Sequence, residues 1–358
     1  MEEWIKCPLG DILNFRRGHD LPKTSMVPGD IPVAGSNGII GFHNVSTTIS
    51  PCITIGRSGN VGTPYIYDKC WAHNTVLYID DYKGNDPKYL YYLLKTLPLA
   101  SFGGGSAVPT LNRNHIHPLE VVFCKDLELQ KKIAGILSKI DNKIELNRQI
   151  NDNLEKQASS LLSDWISTYP CRTYKLSDIC KYANAKCETG NLTPQNYIST
   201  ENMLPNKKGI VEASNIPTGK ATYFKIDDIL IANIRPYFQK IWKADINGGC
   251  SADVLCIRAN IESHSPILYW LLHQDAFFEY VMTGAKGCKM PRGDKQHIMN
   301  WSIDLPEVQY WADLATQLGS IDQQIAYNRI ESINLSNLRD TLLPKLMSGE
   351  IKINEIDC

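Results

Sequence analysis

The chain has 358 residues, 43% hydrophobic and 21% charged, which is typical of a soluble globular protein with room for two domains. Its formal net charge of -1 excludes a protein that binds nucleic acid through overall positive charge, so any such binding depends on local patches or on a partner. The acidic start predicts that there is no signal peptide, and the absence of a long apolar run predicts that there is no membrane span. The 11 cysteines include no CxxC pair, which predicts free thiols in a reducing cytoplasm rather than a metal site.

Residues 1–128 contain short apolar, β-branched and aromatic runs that are broken by Gly, Pro, Asn and Asp. Runs of this kind predict strands separated by turns, as at Cys52–Ile55 and Thr75–Ile79. The longer run Tyr89–Leu94 predicts a helix that packs in the core. We therefore expect residues 1–128 to form a mixed α/β domain.

Residues 129–168 predict one long helix, because their apolar side chains recur alternately four and three residues apart. That spacing is the period of a coiled-coil seam, in which a polar residue such as Asn147 fixes the register at some cost in stability. The predicted seam positions are Ile133, Leu137, Ile140, Ile144, Asn147, Leu154 and Leu161.

Residues 169–309 return to the strand-and-turn pattern, as at Asp228–Ala232 and Asp253–Ile257. They match the first globular segment weakly: Leu176-Ser-Asp-Ile aligns with Leu9-Gly-Asp-Ile, and the predicted core helix at Leu268–Leu272 aligns with the one at residues 90–94. A second mixed α/β domain is expected here.

Residues 310–352 repeat the first helix, since Leu314–Met347 aligns without a gap on Ile133–Ile166. The identical phase favours pairing of the two helices with each other, and the alternative is that each long helix packs on a globular core. Residues 353–358 are expected to be a short tail. The predicted seam positions of the second helix are Leu314, Leu318, Ile321, Ile325, Asn328, Leu335 and Leu342.

A duplicated chain predicts a partner or ligand that is approached twice. The order globule, helix, globule, helix resembles the specificity (S) subunit, HsdS, of Type I restriction–modification systems. The resemblance covers the whole chain and rests on four motifs in order: Leu9-Gly-Asp-Ile12, GSNGIIG at residues 35–41, YISTEN at residues 197–202, and the helix pattern that runs into LLPKLMSG at residues 342–349.

This resemblance implies an α+β fold with two target-recognition domains, each reading one half of a split DNA sequence, separated by two long antiparallel helices. It also implies a subunit without catalysis or cofactor that binds double-stranded DNA and docks two adenine-methyltransferase (modification) subunits, which restriction subunits can join. The assembled complex would be an adenine-N6 DNA methyltransferase and endonuclease. The length of the helices is expected to set the unread gap between half-sites.

Candidate DNA-contacting residues lie in polar loops near the predicted strands, because Arg can bond guanine, Asn or Gln adenine, and Ser or Thr either. The segment 286–295 has four basic residues against one acid and is expected to be the densest positive patch. In the first domain the candidates are Arg57, Ser58, Asn60, His73, Asn74, Thr110, Asn112, Arg113 and Asn114. In the second domain they are Asn233, Arg235, Tyr237, Gln239, Lys240, Lys286, Lys289, Arg292 and Lys295.

Catalytic motifs are absent from the sequence: it contains no [DN]PP[YF] tetrapeptide, P-loop, GxSxG or HExxH. This is what a non-catalytic specificity subunit should show. Two alternatives remain open: a coiled-coil scaffold that assembles other subunits without DNA sequence specificity, and an enzyme with an unrecognised active site.

Overall fold

The computed structural model describes residues 4–103 and 110–351, so the predicted tail at residues 353–358 lies outside the described residues. The chain forms two compact units: unit 1 is residues 1–146 with 331–358, and unit 2 is residues 147–330. The α+β fold class is confirmed. Because the units divide the chain inside the long helices, the predicted domain boundaries at 128/129, 168/169 and 309/310 stay a prediction.

Unit 1 consists mainly of antiparallel sheets with short helices between their strands. A four-stranded sheet has the order β2-β8-β5-β6, a three-stranded sheet the order β4-β3-β7, and β1 pairs with β9. The strands are β1 Trp4–Pro8, β2 Asn14–Arg17, β3 Ile31–Gly35, β4 Gly38–His43, β5 Cys52–Gly56, β6 Pro64–Tyr67, β7 Trp71–Ala72, β8 Val76–Asp81 and β9 Glu120–Cys124. The helices are α1 Leu9–Ile12, α2 Pro87–Thr96, α3 Arg113–Ile116 and the start of the long helix α4 Leu127–Thr168.

The core of unit 1 follows from the apolar runs in its sequence. All five residues of β5 are buried, as expected for a central strand that is covered on both faces. Helix α2 begins at Pro87 because Asp86 accepts a hydrogen bond from the backbone N–H of Tyr89 at 2.8 Å, which caps the helix. The predicted strands and the predicted core helix of this segment are therefore confirmed.

Unit 2 repeats this plan. Its four-stranded sheet has the order β11-β18-β15-β16, a second sheet has the order β12-β14-β17-β13, and β10 pairs with β19. The strands are β10 Cys171–Lys175, β11 Cys180–Tyr182, β12 Lys186–Glu188, β13 Tyr197–Ile198, β14 Lys220–Phe224, β15 Ile229–Ala232, β16 Ile241–Lys243, β17 Gly248–Cys250, β18 Val254–Ala259 and β19 Ser302–Pro306. The helices are α5 Leu176–Ile179, α6 Ser265–Leu272, α7 Asp275–Thr283, α8 Lys295–Met299 and the first part of the long helix α9 Trp311–Ser348, whose last part belongs to unit 1.

The two long helices pair antiparallel within each unit. In unit 1 Ile133 and Leu137, near the start of α4, share a core with Leu346, near the end of α9. In unit 2 the Trp165 indole, near the end of α4, donates a hydrogen bond at 3.0 Å to the backbone carbonyl of Tyr310, just before α9 begins. In each unit both helices also pack on the globular core. The sequence offered two interpretations, that the helices pair with each other or that each packs on a globular core, and each describes part of the structure. No helix in the described part of the chain could cross a membrane.

None of the fourteen predicted seam residues is exposed: eight are buried and six are half-buried. In unit 2 the buried amides hydrogen-bond across the pair. Asn328 Nδ2 donates to Asn151 Oδ1 at 2.8 Å, and Asn151 Nδ2 donates to the backbone carbonyl of Ile325 at 3.4 Å. These bonds constrain the register of the two helices, because sliding one helix would leave buried amides without partners.

Each long helix carries one aspartate, at the same position of the repeat, that contacts the core helix of its unit, α2 in unit 1 and α6 in unit 2. In unit 1 Asp141 accepts a hydrogen bond from the Tyr92 hydroxyl at 2.7 Å and forms an ion pair with Arg339. In unit 2 Asp322 accepts a hydrogen bond from the Trp270 indole at 2.8 Å, and its cation is Lys243.

Shortening a side chain in the core where α9 packs on the globular part of unit 2 should destabilise the protein. Leu318 is 0% exposed and packs in this core, so we expect Leu318→Ala to lower the free energy of unfolding by about 2–5 kcal/mol, as buried leucines do when a cavity replaces them. The measurement is the denaturant midpoint followed by tryptophan fluorescence. Ser320→Ala is the matched control, since Ser320 lies exposed on the same helix, and it should leave the midpoint nearly unchanged.

Candidate nucleic-acid interface

In unit 1 the loop after β5 is held on two sides by backbone hydrogen bonds. The N–H of Arg57 donates to the carbonyl of Thr75 at 2.8 Å, and the carbonyl of Arg57 accepts from Leu111 N–H at 2.7 Å. The loop then turns back sharply: a Cβ on Gly56 would lie 1.7 Å from the carbonyl oxygen of Asn60. Only glycine fits this close approach, and together with the two backbone hydrogen bonds it fixes the backbone of the loop at Arg57.

Arg57 lies in a cleft of about 400 Å³ whose lining contains four arginines and no acidic side chain. Burial lowers the pKa of the Arg57 guanidinium, and the neighbouring positive charge of Arg17 lowers it further. The cleft is therefore locally positive, although the whole chain is nearly neutral. Its lining residues are Arg16, Arg17, Arg57, Leu77, Thr110, Leu111, Asn112 and Arg113.

The other candidate residues of unit 1 are held by their own contacts or are exposed. Ser58 forms a β-bridge with Thr110, and Asn74 offers its carbonyl to the Arg57 guanidinium at 3.4 Å. Asn60 and Asn114 are exposed, and the imidazole of His73 bonds the hydroxyl of Thr75 at 3.1 Å.

In unit 2 the equivalent loop follows β15 and is clamped against the basic segment 286–295. Asn233 accepts a backbone hydrogen bond from Gly293 at 3.2 Å, and the N–H of Arg235 donates to Pro291 at 2.7 Å. Each unit therefore brings together the two segments that were predicted to contact DNA. The side-chain oxygen of Asn233 is buried without a hydrogen-bond partner among the described residues, although the residue as a whole is half-buried.

The centre of this loop is a strained turn that presents aromatic side chains. Arg235 and Gln239 both have left-handed backbone conformations, with φ of 51° and 50°, which cost non-glycine residues energy. Between them Tyr237 is 49% exposed and Phe238 is 38% exposed. The Lys240 ammonium donates to the carbonyl of Thr200 at 2.6 Å, which ties the end of the turn to the domain.

The basic segment of unit 2 is less positive than its sequence indicates. Lys286 forms an ion pair with Asp294 at 2.5 Å, and Arg292 forms one with Asp253 at 3.2 Å. Lys289 is exposed, and the Lys295 ammonium lies 5.6 Å from the centre of the Tyr182 ring. The expectation that this segment is the densest positive patch is wrong, because the fold supplies a carboxylate to two of its four cations.

Two further details correct the predicted loops. Arg113 and Asn114 lie in the first turn of α3, and Lys295 begins α8, because an Asn112 or Asp294 side chain caps each helix. The contacts that the candidate residues make with DNA stay a prediction.

Sequence reasoning missed Arg16, Arg17 and Phe238. Arg16 and Arg17 end β2 and reach the cleft because this strand pairs with β8, a pairing between segments about sixty residues apart. Adjacent arginines at the end of an apolar strand were the available signal. The signal for Phe238 was its position beside Tyr237 in the same turn.

Comparison with known proteins finds similar sequences among specificity subunits. Residues 1–156 match the family model of the type I restriction modification DNA specificity domain. The type I restriction enzyme MjaIX specificity subunit of Methanocaldococcus jannaschii is 25% identical in an alignment of 312 positions that covers 75% of this chain and 70% of the relative. A putative type I specificity subunit of Mycoplasma genitalium is 23% identical in an alignment of 376 positions that covers 96% of this chain and 93% of the relative.

Among solved structures, the crystal structure of a Type-I restriction–modification S subunit from M. genitalium matches the fold with a TM-score of 0.64 at 18% identity, over 96% of each chain. This likeness shows that the chain shares the fold of that subunit. Over most of its length the chain is similar to type I restriction–modification specificity subunits.

The ion pair of Lys286 with Asp294 has a measurable consequence. The hydrogen bond from the Lys286 ammonium, helped by backbone N–H groups, lowers the pKa of Asp294 from 3.8 to about 2. This contribution to folding is therefore present above pH 3.8 and is lost as the pH falls through about 2. We expect Lys286→Gln to raise the pKa of Asp294 toward 3.8, as measured by NMR titration of the carboxyl carbon. Lys289→Gln removes an exposed cation from the same segment and should leave this pKa unchanged.

Proposed function

We propose that this chain reads a bipartite DNA sequence, with unit 1 contacting one half-site and unit 2 the other. One observation carries the proposal: each unit clamps the loop after a central strand against the segment that leads into a short capped helix. In unit 1 this joins Arg57 to Leu111, and in unit 2 it joins Asn233 to Gly293. The two units thus share one framework but present different side chains, as the reading of two unlike half-sites requires.

The chemistry belongs to the partners. The chain positions one adenine in each half-site for a bound methyltransferase subunit, which flips the base out of the helix to modify it. Restriction subunits join the same complex. The proposal that the helices set the unread gap is supported by the uninterrupted course of α4 from Leu127 to Thr168.

Docking of two modification subunits is supported by the outer surface of the long helices. Leu146 and Tyr327 occupy equivalent positions in the gapless repeat. Both are exposed, at 48% and 62%, although they are large and apolar. An exposed apolar side chain at the same repeat position in each unit fits two copies of one partner, each approaching one helix.

Exchange of one recognition segment tests the bipartite proposal. Replacing residues 169–309 by the corresponding part of a relative should change one half-site and leave the other intact, because the loops of unit 1 are untouched. Long-read mapping of methylated adenines in cells that carry the hybrid chain with its modification subunits gives the result.

The reciprocal exchange of residues 1–128 is the control and should change only the other half-site. A change of both half-sites by either hybrid contradicts one reader per half-site. Methylation without sequence preference by the parent complex would instead support a scaffold that lacks specificity.

Single substitutions on the helices test the docking proposal. Leu146→Ser and Tyr327→Ser should each remove one modification subunit from the purified complex, because each deletes the apolar contact of one site. Native mass spectrometry counts the subunits. Ser159→Ala, at an exposed polar position of α4, is the control and should retain both. Two bound subunits in both serine variants would contradict the proposed surfaces.

A further inference from the structure

The cleft of unit 1 concentrates positive charge without compensation. Arg16, Arg17 and Arg113 are exposed, Arg57 is half-buried, and all four line one cleft. None of the four forms a salt bridge with a residue in the described ranges 4–103 and 110–351. Like charges held together repel, so this arrangement favours an anionic ligand.

The positions of the arginines on the framework give the cleft a defined shape. Arg16 and Arg17 sit opposite Tyr78 and Leu77 in the β2–β8 ladder, so the strand pairing fixes their backbone. The Arg113 guanidinium donates to the carbonyl of Phe15 at 3.2 Å, which holds the first turn of α3 beside β2. Arginine forks match phosphate oxygens in geometry as well as charge.

Unit 2 lacks this accumulation at its equivalent loop. There Arg292 and Lys286 have carboxylate partners, and the exposed Arg235 of the loop stands beside two exposed aromatic side chains rather than beside three further arginines. The two units therefore differ in how they can hold a polyanion, although their frameworks correspond.

We propose that Arg16 and Arg17, with Arg57 and Arg113, bind phosphates of the DNA backbone, so that unit 1 is the electrostatic anchor of the complex. The proposal rests on the DNA-reading function above and adds which residues supply the salt-dependent affinity. These contacts position the duplex and carry no sequence information of their own. Their loss should weaken binding to every sequence alike.

The test measures how DNA affinity depends on salt. The full chain assembled with its modification subunits is titrated by fluorescence anisotropy with a random-sequence duplex and with a duplex carrying the methylated target. The double variant Arg16→Gln with Arg17→Gln should weaken binding to both duplexes. It should also reduce the slope of log affinity against log salt by about 0.9 for each lost phosphate contact, or about 1.8 in all.

Two further variants control for folding and for net charge. Arg16→Lys with Arg17→Lys keeps both charges and should retain most of the wild-type slope, since lysine binds phosphate as a point charge. Lys69→Gln with Lys88→Gln removes two exposed charges of unit 1 outside the cleft and should change the slope much less.

The outcomes separate the two proposals. If the wild-type complex prefers the target duplex but the glutamine variant keeps the wild-type slope, the anchor is refuted and the reading function stands. If the wild-type complex binds both duplexes equally, the reading function fails. Inorganic phosphate and unlabelled duplex are also compared as competitors at equal concentrations of phosphate groups. If the two displace labelled DNA equally well, the cleft is a site for free anions and the anchor proposal is overturned.

Discussion

Each long helix carries an aspartate that hydrogen-bonds an aromatic side chain in the globular part of its own unit, and this contact helps to orient the globular part on the helix. Asp141 accepts from the Tyr92 hydroxyl, and Asp322 accepts from the Trp270 indole. Burial raises the pKa of Asp322 despite the nearby Lys243, so the charged form is costly there. The cost of burying the two charges offsets much of the attraction between Asp322 and Lys243, so this ion pair is expected to add little net stability. The hydrogen bond helps to give the core helix, and the sheet packed on it, one orientation relative to the long helix within their unit.

The parts of the structure that follow from local patterns could be predicted from the sequence. Helical seams and strands each depend on residues a few positions apart, so the repeat containing Asn147 and Asn328 revealed the paired helices. The cleft could not be predicted in the same way. Arg16 and Arg17 reach it through the pairing of β2 with β8, and the partner of Arg292 is Asp253, nearly forty residues away. Such contacts depend on the order of strands in the sheet, which side-chain periodicity does not encode.

The repeat also shows how the same contact is rebuilt with different residues. Arg339, the cation beside Asp141, has Ala158 as its counterpart in the other helix, and Ala158 is fully buried in unit 2. There Lys243 supplies the positive charge from β16 instead. The aspartate and its aromatic donor are retained in both copies while the cation comes from a different element. The helix-to-domain contact is therefore the more constrained part of the unit.

Net charge is a poor guide to binding by a chain built in this way. A formal charge of -1 excludes a uniformly basic surface, but it says nothing about four arginines that share one cleft without an acidic neighbour in its lining. Conversely, four basic residues within ten positions produce little excess charge where Asp253 and Asp294 pair with two of them. Electrostatic potential falls off within about 8–10 Å at physiological salt, so the local arrangement of side chains decides what a phosphate meets. The framework fixes the position of each loop whatever residues the loop contains. One copy can therefore carry additional charge, and the other can carry exposed aromatic side chains, without a change in the fold that they share.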